Sequence, residues 1–228
     1  MFLLVTIIVL SCTSCSIFDN NMQTVKNEAY NYFRKLFNYV NVENVSFSNN
    51  IYCVSCTVSS SGKYFDMSAE AVLKYKKDNN GKILLVDNIT YQNCKYNFHT
   101  VDEYYHYGRL FGNDSMVFKI QSMSETSITI QYYSHDLVSG GDMYNVRDSY
   151  SNGTDVWHME SLSDYRGFMF YIFDVGIPFH VYPNYIEYAD ETSGSIFTGY
   201  SRFIKLTSVN PDDYWWFDEA AKSKNRDE

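Results

Sequence analysis

The sequence predicts an α+β fold: an N-terminal helix on an antiparallel meander, followed by a β-rich sandwich or small barrel. Three observations predict it. A single apolar stripe at helical spacing runs through residues 19–40. Beyond it, short segments alternate apolar and polar side chains and are separated by clusters of Gly, Asp, Asn and Ser. The chain also holds 22 Tyr and 16 Phe, rings that pack well on a pleated surface. Most of these rings are expected in the core, and any exposed ones are candidate stacking platforms for sugars or bases.

The helix is read from Asp19 to Val40, with Val25, Ala29, Phe33, Leu36 and Val40 on its apolar face and Asp19, Asn20 and Asn21 as N-cap side chains. Three strands follow. Ile51–Ser59 alternates, with Tyr52, Val54, Cys56 and Val58 on one face, and ends at Ser60-Ser61-Gly62. Asp66–Lys77 is read as a strand, because Ala69, Ala71, Leu73 and Tyr75 alternate with Glu70, Lys74 and Lys76. Asp78-Asn79-Asn80-Gly81 is a hairpin turn whose Asn and Gly tolerate positive φ, and Lys82–Tyr91 returns beside it. This order of elements is similar to that of cystatin-like or nuclear-transport-factor-like folds. The pattern weakens from Cys94 to Arg109. Met116–Met123 and Thr126–Ser134 then form a second hairpin around Ser124-Glu125. Strands near Asp155–Ser161, Gly167–Asp174, Phe179–Ala189 and Ser195–Thr207 continue the β-rich part. Asn210-Pro211-Asp212-Asp213 opens a short capped helix over Tyr214–Lys222, with Pro at its first position, acids early and Lys late.

The N-terminus points to an address. Nothing before Asp19 is charged, and the apolar run Phe2–Leu10 is far shorter than the ~20 residues of a bilayer-spanning helix. That run suits the apolar region of an export signal. It ends in Val9-Leu10-Ser11-Cys12, which resembles the lipobox of bacterial lipoproteins: an aliphatic residue three before the cysteine, a small one just before it. The resemblance implies cleavage before Cys12, a diacylated thiol there and a body tethered to the membrane by lipid; Cys15 is the second choice. Leu10 is bulkier than the usual residue at its place, and the basic start of the signal is missing. The expected organisation is a signal peptide over 1–11, a lipidated tether over 12–18 and a helix plus antiparallel sheet over 19–97. A β-rich region over 98–208, continuous with that sheet or separate, and a terminal helix with its tail over 209–228 complete it. The expected location is a bacterial cell envelope, with neither leaflet preferred.

A formal charge of -9 disfavours nucleic acid or an anionic membrane surface as partner. The expected partners are the membrane, reached through the N-terminal lipid, and an envelope protein or a glycan. The Asn-X-Ser/Thr sites at Asn44, Asn88, Asn113 and Asn152 arise readily by chance in so Asn- and Ser-rich a chain.

Residues that suggest chemistry are few. Cys53-Val54-Ser55-Cys56 has redox or zinc spacing, but on a strand its two thiols point to opposite faces. Cys94 is a candidate disulfide partner for either. His158 and Glu160 share a strand face and start a candidate metal site, with His135, Asp136 or His180 completing it. Ser139-Gly140-Gly141-Asp142 reads as a hairpin turn, with no Gly-Lys-Ser/Thr to make a phosphate loop. Tyr214-Trp215-Trp216-Phe217 is the densest aromatic cluster. Packed, it staples the terminal helix to the β body; exposed, Tyr214, Trp215 and Trp216 are ligand-stacking rings. Tyr104-Tyr105-His106-Tyr107 carries the same choice. No cofactor motif and no Gly-x-Ser-x-Gly elbow occurs. The leading expectation is therefore a lipid-anchored, non-enzymatic binding or structural module. Its rivals are an envelope hydrolase or metal-dependent enzyme using His158, Glu160 and His135, and a glycan-binding module.

Overall fold

The computed structural model describes residues 20–86, 89–108, 115–139, 146–171, 178–190 and 202–223. Among these residues the protein is β-rich, with an N-terminal helix and two antiparallel sheets. Its chain divides into two compact units. One runs to Ser61 and includes Met67–Lys95; the other takes in Gly62–Asp66 and the chain from Tyr96.

In the first unit, helix α1 covers residues 20–33. Val25, Ala29, Phe33 and Phe37 are buried at four-residue spacing, so the stripe seen in the sequence is the core face. The helix stops earlier than the stripe suggested. Residues 34–36 form a turn, and Val40 reaches the core from strand β1 (Tyr39–Ser48), which the helical reading had absorbed. Leu36 is only half-buried, and Phe37 takes its place. β1 pairs with β2 (Ile51–Ser60) through a two-residue turn in which Asn49 and Asn50 have φ of 50° and 66°. Asparagine tolerates that left-handed pair, which matches the twist of the flanking strands.

β2 pairs with β3 (Phe65–Lys77) in the register Tyr52↔Tyr75, Val54↔Leu73, Cys56↔Ala71, Val58↔Ala69. These side chains form one buried face on the side of α1, whose Glu28 and Tyr32 lie near enough to Tyr75 to raise its hydroxyl after burial; Phe33 and, beyond the helix, Phe37 pack on the Tyr91 ring at 6.4 Å and 6.2 Å. The hairpin turn at Asp78–Gly81 forms as expected. Gly81 has φ 83°, and Asp78 Oδ1 accepts from the backbone N–H of Asn80 and Lys82. The returning segment is two strands rather than one, β4 (Ile83–Leu85) and β5 (Thr90–Phe98), both paired with β3.

This order settles the cysteines. Cys56 is buried and Cys53 half-buried, on opposite faces of β2. Burial and, to a lesser degree, the Glu43 carboxylate push the Cys56 thiol up to about 12, so it stays protonated. Because β3 lies between β2 and β5, Cys94 is at least two strand spacings, about 10 Å, from the β2 cysteines, against the roughly 4.4–6.8 Å between Cα atoms that a disulfide spans. The cross-sheet disulfide considered from the sequence is therefore excluded by strand order.

The second unit is built on an antiparallel sheet with nine strands among the described residues. Its members in chain order are β6 (Tyr104–Gly108), β7 (Ser115–Met123), β8 (Ser127–Ser139), β9 (Val146–Ser161), β10 (Phe168–Tyr171), β11 (Pro178–Val181), β12 (Ile186–Asp190), β13 (Arg202–Lys205) and β14 (Ser208–Val209). In space the order is β13-β12-β11-β10-β9-β8-β7-β6-β14. The β7–β8 hairpin lies where the sequence placed it, whereas Phe179–Ala189 is a hairpin broken at Pro183-Asn184. The sheet curls over one face. Tyr107 of β6 meets Tyr188 of β12 at 5.1 Å, and Phe118 of β7 meets Phe179 of β11 at 6.2 Å, although several strands separate them along the sheet. Tyr64 and Phe65 insert into this concave side: Phe65 packs on Phe168 at 5.5 Å and Tyr64 on Tyr105 at 6.3 Å.

Candidate functional site

The outer face of β6–β9 is where Tyr104 and His106, His135 and the C-terminal aromatic run meet. Strand alternation and register put Tyr104 and His106 of β6, Ser115 and Val117 of β7, Tyr133 and His135 of β8 and Tyr150 and Asn152 of β9 on that face. The C-terminal segment lies across it. Asn210 accepts from the Asp212 N–H and caps a 3₁₀ turn over Pro211–Asp213; helix α2 then runs Phe217–Lys222. The single capped helix expected over Tyr214–Lys222 is thus a turn and a helix, with Tyr214 and Trp215 at the bend between them. Trp216 and Ala220 join Val117 in a buried cluster, ringed by Tyr104, Tyr133, Tyr150, Tyr214 and Phe217.

The aromatic run is divided by this packing. Trp216 is 3% exposed and is the staple; Trp215 is 70% exposed. Tyr214 is half-buried and stacks on His106 at 4.5 Å. Between the two tryptophans and the sheet lies His135, itself buried. Its ring stacks on Tyr150 at 5.3 Å and on Trp216 at 5.8 Å, and Trp215 meets it edge-on at 5.2 Å. His135 Nε2 is 2.8 Å from Asp148 Oδ1, a carboxylate 46% exposed. The result is an exposed indole beside a fixed imidazole–carboxylate pair. The surroundings are acidic: after burial itself, Asp148 and Glu219 push the Tyr150 hydroxyl above its usual range.

Asn152, one of the Asn-X-Ser/Thr positions, locks the segment down. Its side-chain amide donates to the carbonyls of Ala220 at 2.7 Å and Ser223 at 2.8 Å, satisfying orphan acceptors at the end of α2. Asn152→Asp, of equal size, turns that donor toward oxygens as a carboxylate. It is expected to cost about 1–3 kcal/mol and to raise amide exchange in residues 214–223, read by hydrogen-exchange mass spectrometry.

His106 supplies a pH dependence. Burial holds its imidazole below the ordinary value of 6.5, and its Nε2 is 2.7 Å from Ser115 Oγ. An unfolded chain takes up this proton near 6.5, the folded one only at lower pH. In that window the unfolded state binds more protons, so stability is fully present above 6.5 and falls as pH drops below it. His180 is lowered in the same direction by burial, opposed by Glu187. The melting temperature is expected to fall between pH 7.5 and 5.5, and His106→Gln to reduce that slope, as measured by calorimetry.

The other predicted sites are dispersed. His158 and Glu160 do share a face, 3.8 Å apart, with side chains 71% and 65% exposed. His135 pairs in register with Tyr150, eight residues (158 − 150) along β9 from His158, so about 27 Å separates them. Asp136 points to the opposite face from His135, and His180 lies on β11 against Glu187 at 3.6 Å and Phe203 at 4.5 Å. The His158, Glu160 and His135 grouping is therefore not assembled, and among the described residues no three His, Cys, Asp or Glu converge as for a metal ion. Cys12 and Cys15, with the whole signal and tether, lie outside the described residues, as do residues 140–145 of the Gly-Gly loop. No described helix is long and apolar enough to cross a membrane.

On the concave side, the Tyr104–Tyr107 run contributes a second polar cluster. Tyr64 and Tyr105 hydroxyls are 2.6 Å apart, Tyr105 donates to Glu103 at 3.2 Å, and Lys63 pairs with Glu103. Burial first, then Tyr64, raises Tyr105, while the Lys63 hydrogen bond lowers Glu103, so neutral phenols feed an ionised carboxylate. Sequence reasoning missed Asp148, Tyr150 and Ser115, since only cross-strand register brings them to the histidines. Comparison of the chain with family models, curated proteins and solved structures finds no significant match.

Proposed function

We propose that the chain is a lipid-anchored protein of a bacterial cell envelope, a non-enzymatic module that binds its partner through the surface around Trp215. The anchor rests on Val9-Leu10-Ser11-Cys12 and the uncharged apolar start before it. The binding role rests on one observation: of two adjacent tryptophans on the same bend, the fold buries Trp216 and leaves Trp215 70% exposed beside His135 and Asp148. A large exposed ring against fixed polar groups is the composition of a recognition hot spot. The body is read as an α+β assembly, a helix on a meander followed by a small open barrel; the Tyr107–Tyr188 contact across the curled sheet supports that reading.

The mass of the N-terminal peptide from the native membrane fraction tests the anchor. A diacylated Cys12 with residues 1–11 removed is the expected result; an intact Met1, or cleavage without lipid, sinks the lipoprotein reading.

A hydrolase reading has one observation in its favour, the 2.7 Å contact of Ser115 Oγ with a His106 that burial keeps neutral. Labelling of Ser115 by a fluorophosphonate, lost in His106→Ala, would replace the binding module with an acyl-transfer enzyme.

A further inference from the structure

We infer that the surface around Trp215 takes a neutral saccharide, with one pyranose ring stacked on the indole and its hydroxyls hydrogen-bonded along the His135–Asp148 edge. This rests on the reading of that surface as the binding face.

Trp215 is both presented and held. The backbone on either side is closed by hydrogen bonds from Tyr214 N to Pro211 O, Phe217 N to Tyr214 O and Ala220 N to Trp216 O. Its ring rests edge-on against the buried His135, so little freedom remains to be lost on binding. The rings around it are committed elsewhere: Tyr150 and Trp216 stack on His135, and Tyr214 on His106. An ammonium ligand is best held when several ring faces enclose it. Here, among the described residues, a single indole stands open, which suits a flat ring with an apolar C–H face.

The polar edge fits hydroxyls. Asp148 accepts, is solvent-reachable, and is fixed by His135 at 2.8 Å, so a sugar hydroxyl meets an oriented acceptor rather than a mobile one. Charge sets the remaining choice. Asp148, Asp212, Asp213, Asp218 and Glu219 lie on or beside this bend, with Lys222 paired to Glu219 at 3.3 Å. Phosphate, sulfate and uronate groups are repelled by that field, which leaves an uncharged glycan.

The test is titration of the full lipidated chain, in a polyoxyethylene detergent without a sugar headgroup, with the N-acetylglucosamine tetrasaccharide and with cellotetraose. Binding is expected at roughly 0.1–1 mM, with a shift in tryptophan emission and little change between low and high salt. Trp215→Ala is expected to weaken it at least tenfold and Asp148→Asn several-fold, with the melting temperature of Trp215→Ala unchanged. Absence of binding by either saccharide up to about 10 mM, or equal binding by Trp215→Ala, overturns the assignment. Salt-sensitive binding of a lysine-rich peptide at Trp215 in place of sugar also overturns it. In-membrane crosslinking separates the two readings: a protein partner lost in Trp215→Ala, with no saccharide bound, leaves the binding surface standing and removes the glycan. A crosslinking pattern and saccharide titration that are both indifferent to Trp215 remove the surface itself.

Discussion

Trp216→Ala is expected to destabilise the second unit by ~4 kcal/mol, while Trp215→Ala, one residue earlier, changes stability by no more than ~0.5 kcal/mol. The two side chains are chemically identical and adjacent, so intrinsic propensity cannot separate them. Trp216 is buried with Val117 and Ala220 in a cluster against which Tyr104, Tyr133 and Phe217 pack, and its own ring stacks on His135 and meets Tyr214 at 5.8 Å. Truncation leaves a cavity beneath α2 that a six-residue helix cannot refill by settling inward. The helix has little stability of its own at that length, so losing its anchor also frees Asn152 from the Ala220 and Ser223 carbonyls. Trp215 has no comparable burial to lose. Chemical denaturation of the two variants, followed by far-ultraviolet dichroism, reads the difference directly. Equal effects would mean that the segment does not pack as described.

Gly62→Ala is expected to cost about 3 kcal/mol or more, although it adds a single methyl group. A Cβ at Gly62 would sit 2.1 Å from the Pro183 carbonyl oxygen and 2.3 Å from its carbon. The obstacle is backbone, so no rotamer change relieves it, and the segment must move away from Pro183-Asn184. That movement breaks the hydrogen bonds from Tyr64 N to Pro183 O at 2.9 Å and from Lys63 N to Asn184 Oδ1 at 3.3 Å. It also withdraws Tyr64 from the Tyr105 hydroxyl and Phe65 from Phe168, contacts within the same unit. The second substitution Pro183→Ala is expected not to rescue the first, because the clash is with the Pro183 carbonyl and with its Cβ at 2.5 Å, both of which alanine keeps. A melting temperature for Gly62→Ala within a degree or two of the parent chain would show that the two segments are not in contact.

How much of this was legible in the sequence follows from the range of each signal. Periodicity is a property of neighbouring residues, and where it is strong it named the element: the Val25, Ala29, Phe33 stripe, the alternation through Val54, Cys56 and Val58, the Asp78–Gly81 turn and the Ser124-Glu125 hairpin. It failed where two periods overlap. Val40 fits both the end of a helical stripe and the start of an alternating strand, and burial on a sheet decided for the strand. The Asn49-Asn50 turn was present in the sequence as a hairpin signal and marks that strand in retrospect.

By itself, then, the sequence determined a β-rich protein with one leading helix, the faces of its longer strands, and an aromatic terminal segment that must pack or bind. Only the tertiary structure decided which tryptophan packs and which faces solvent, because that depends on the direction of a bend set by the Asn210 cap and the Val117 cluster. It also decided that His135 meets Asp148 rather than His158. The second choice turns on strand register, and a register is chosen by the whole buried face at once: shifting it by one residue would turn every ring on β8 to the wrong side.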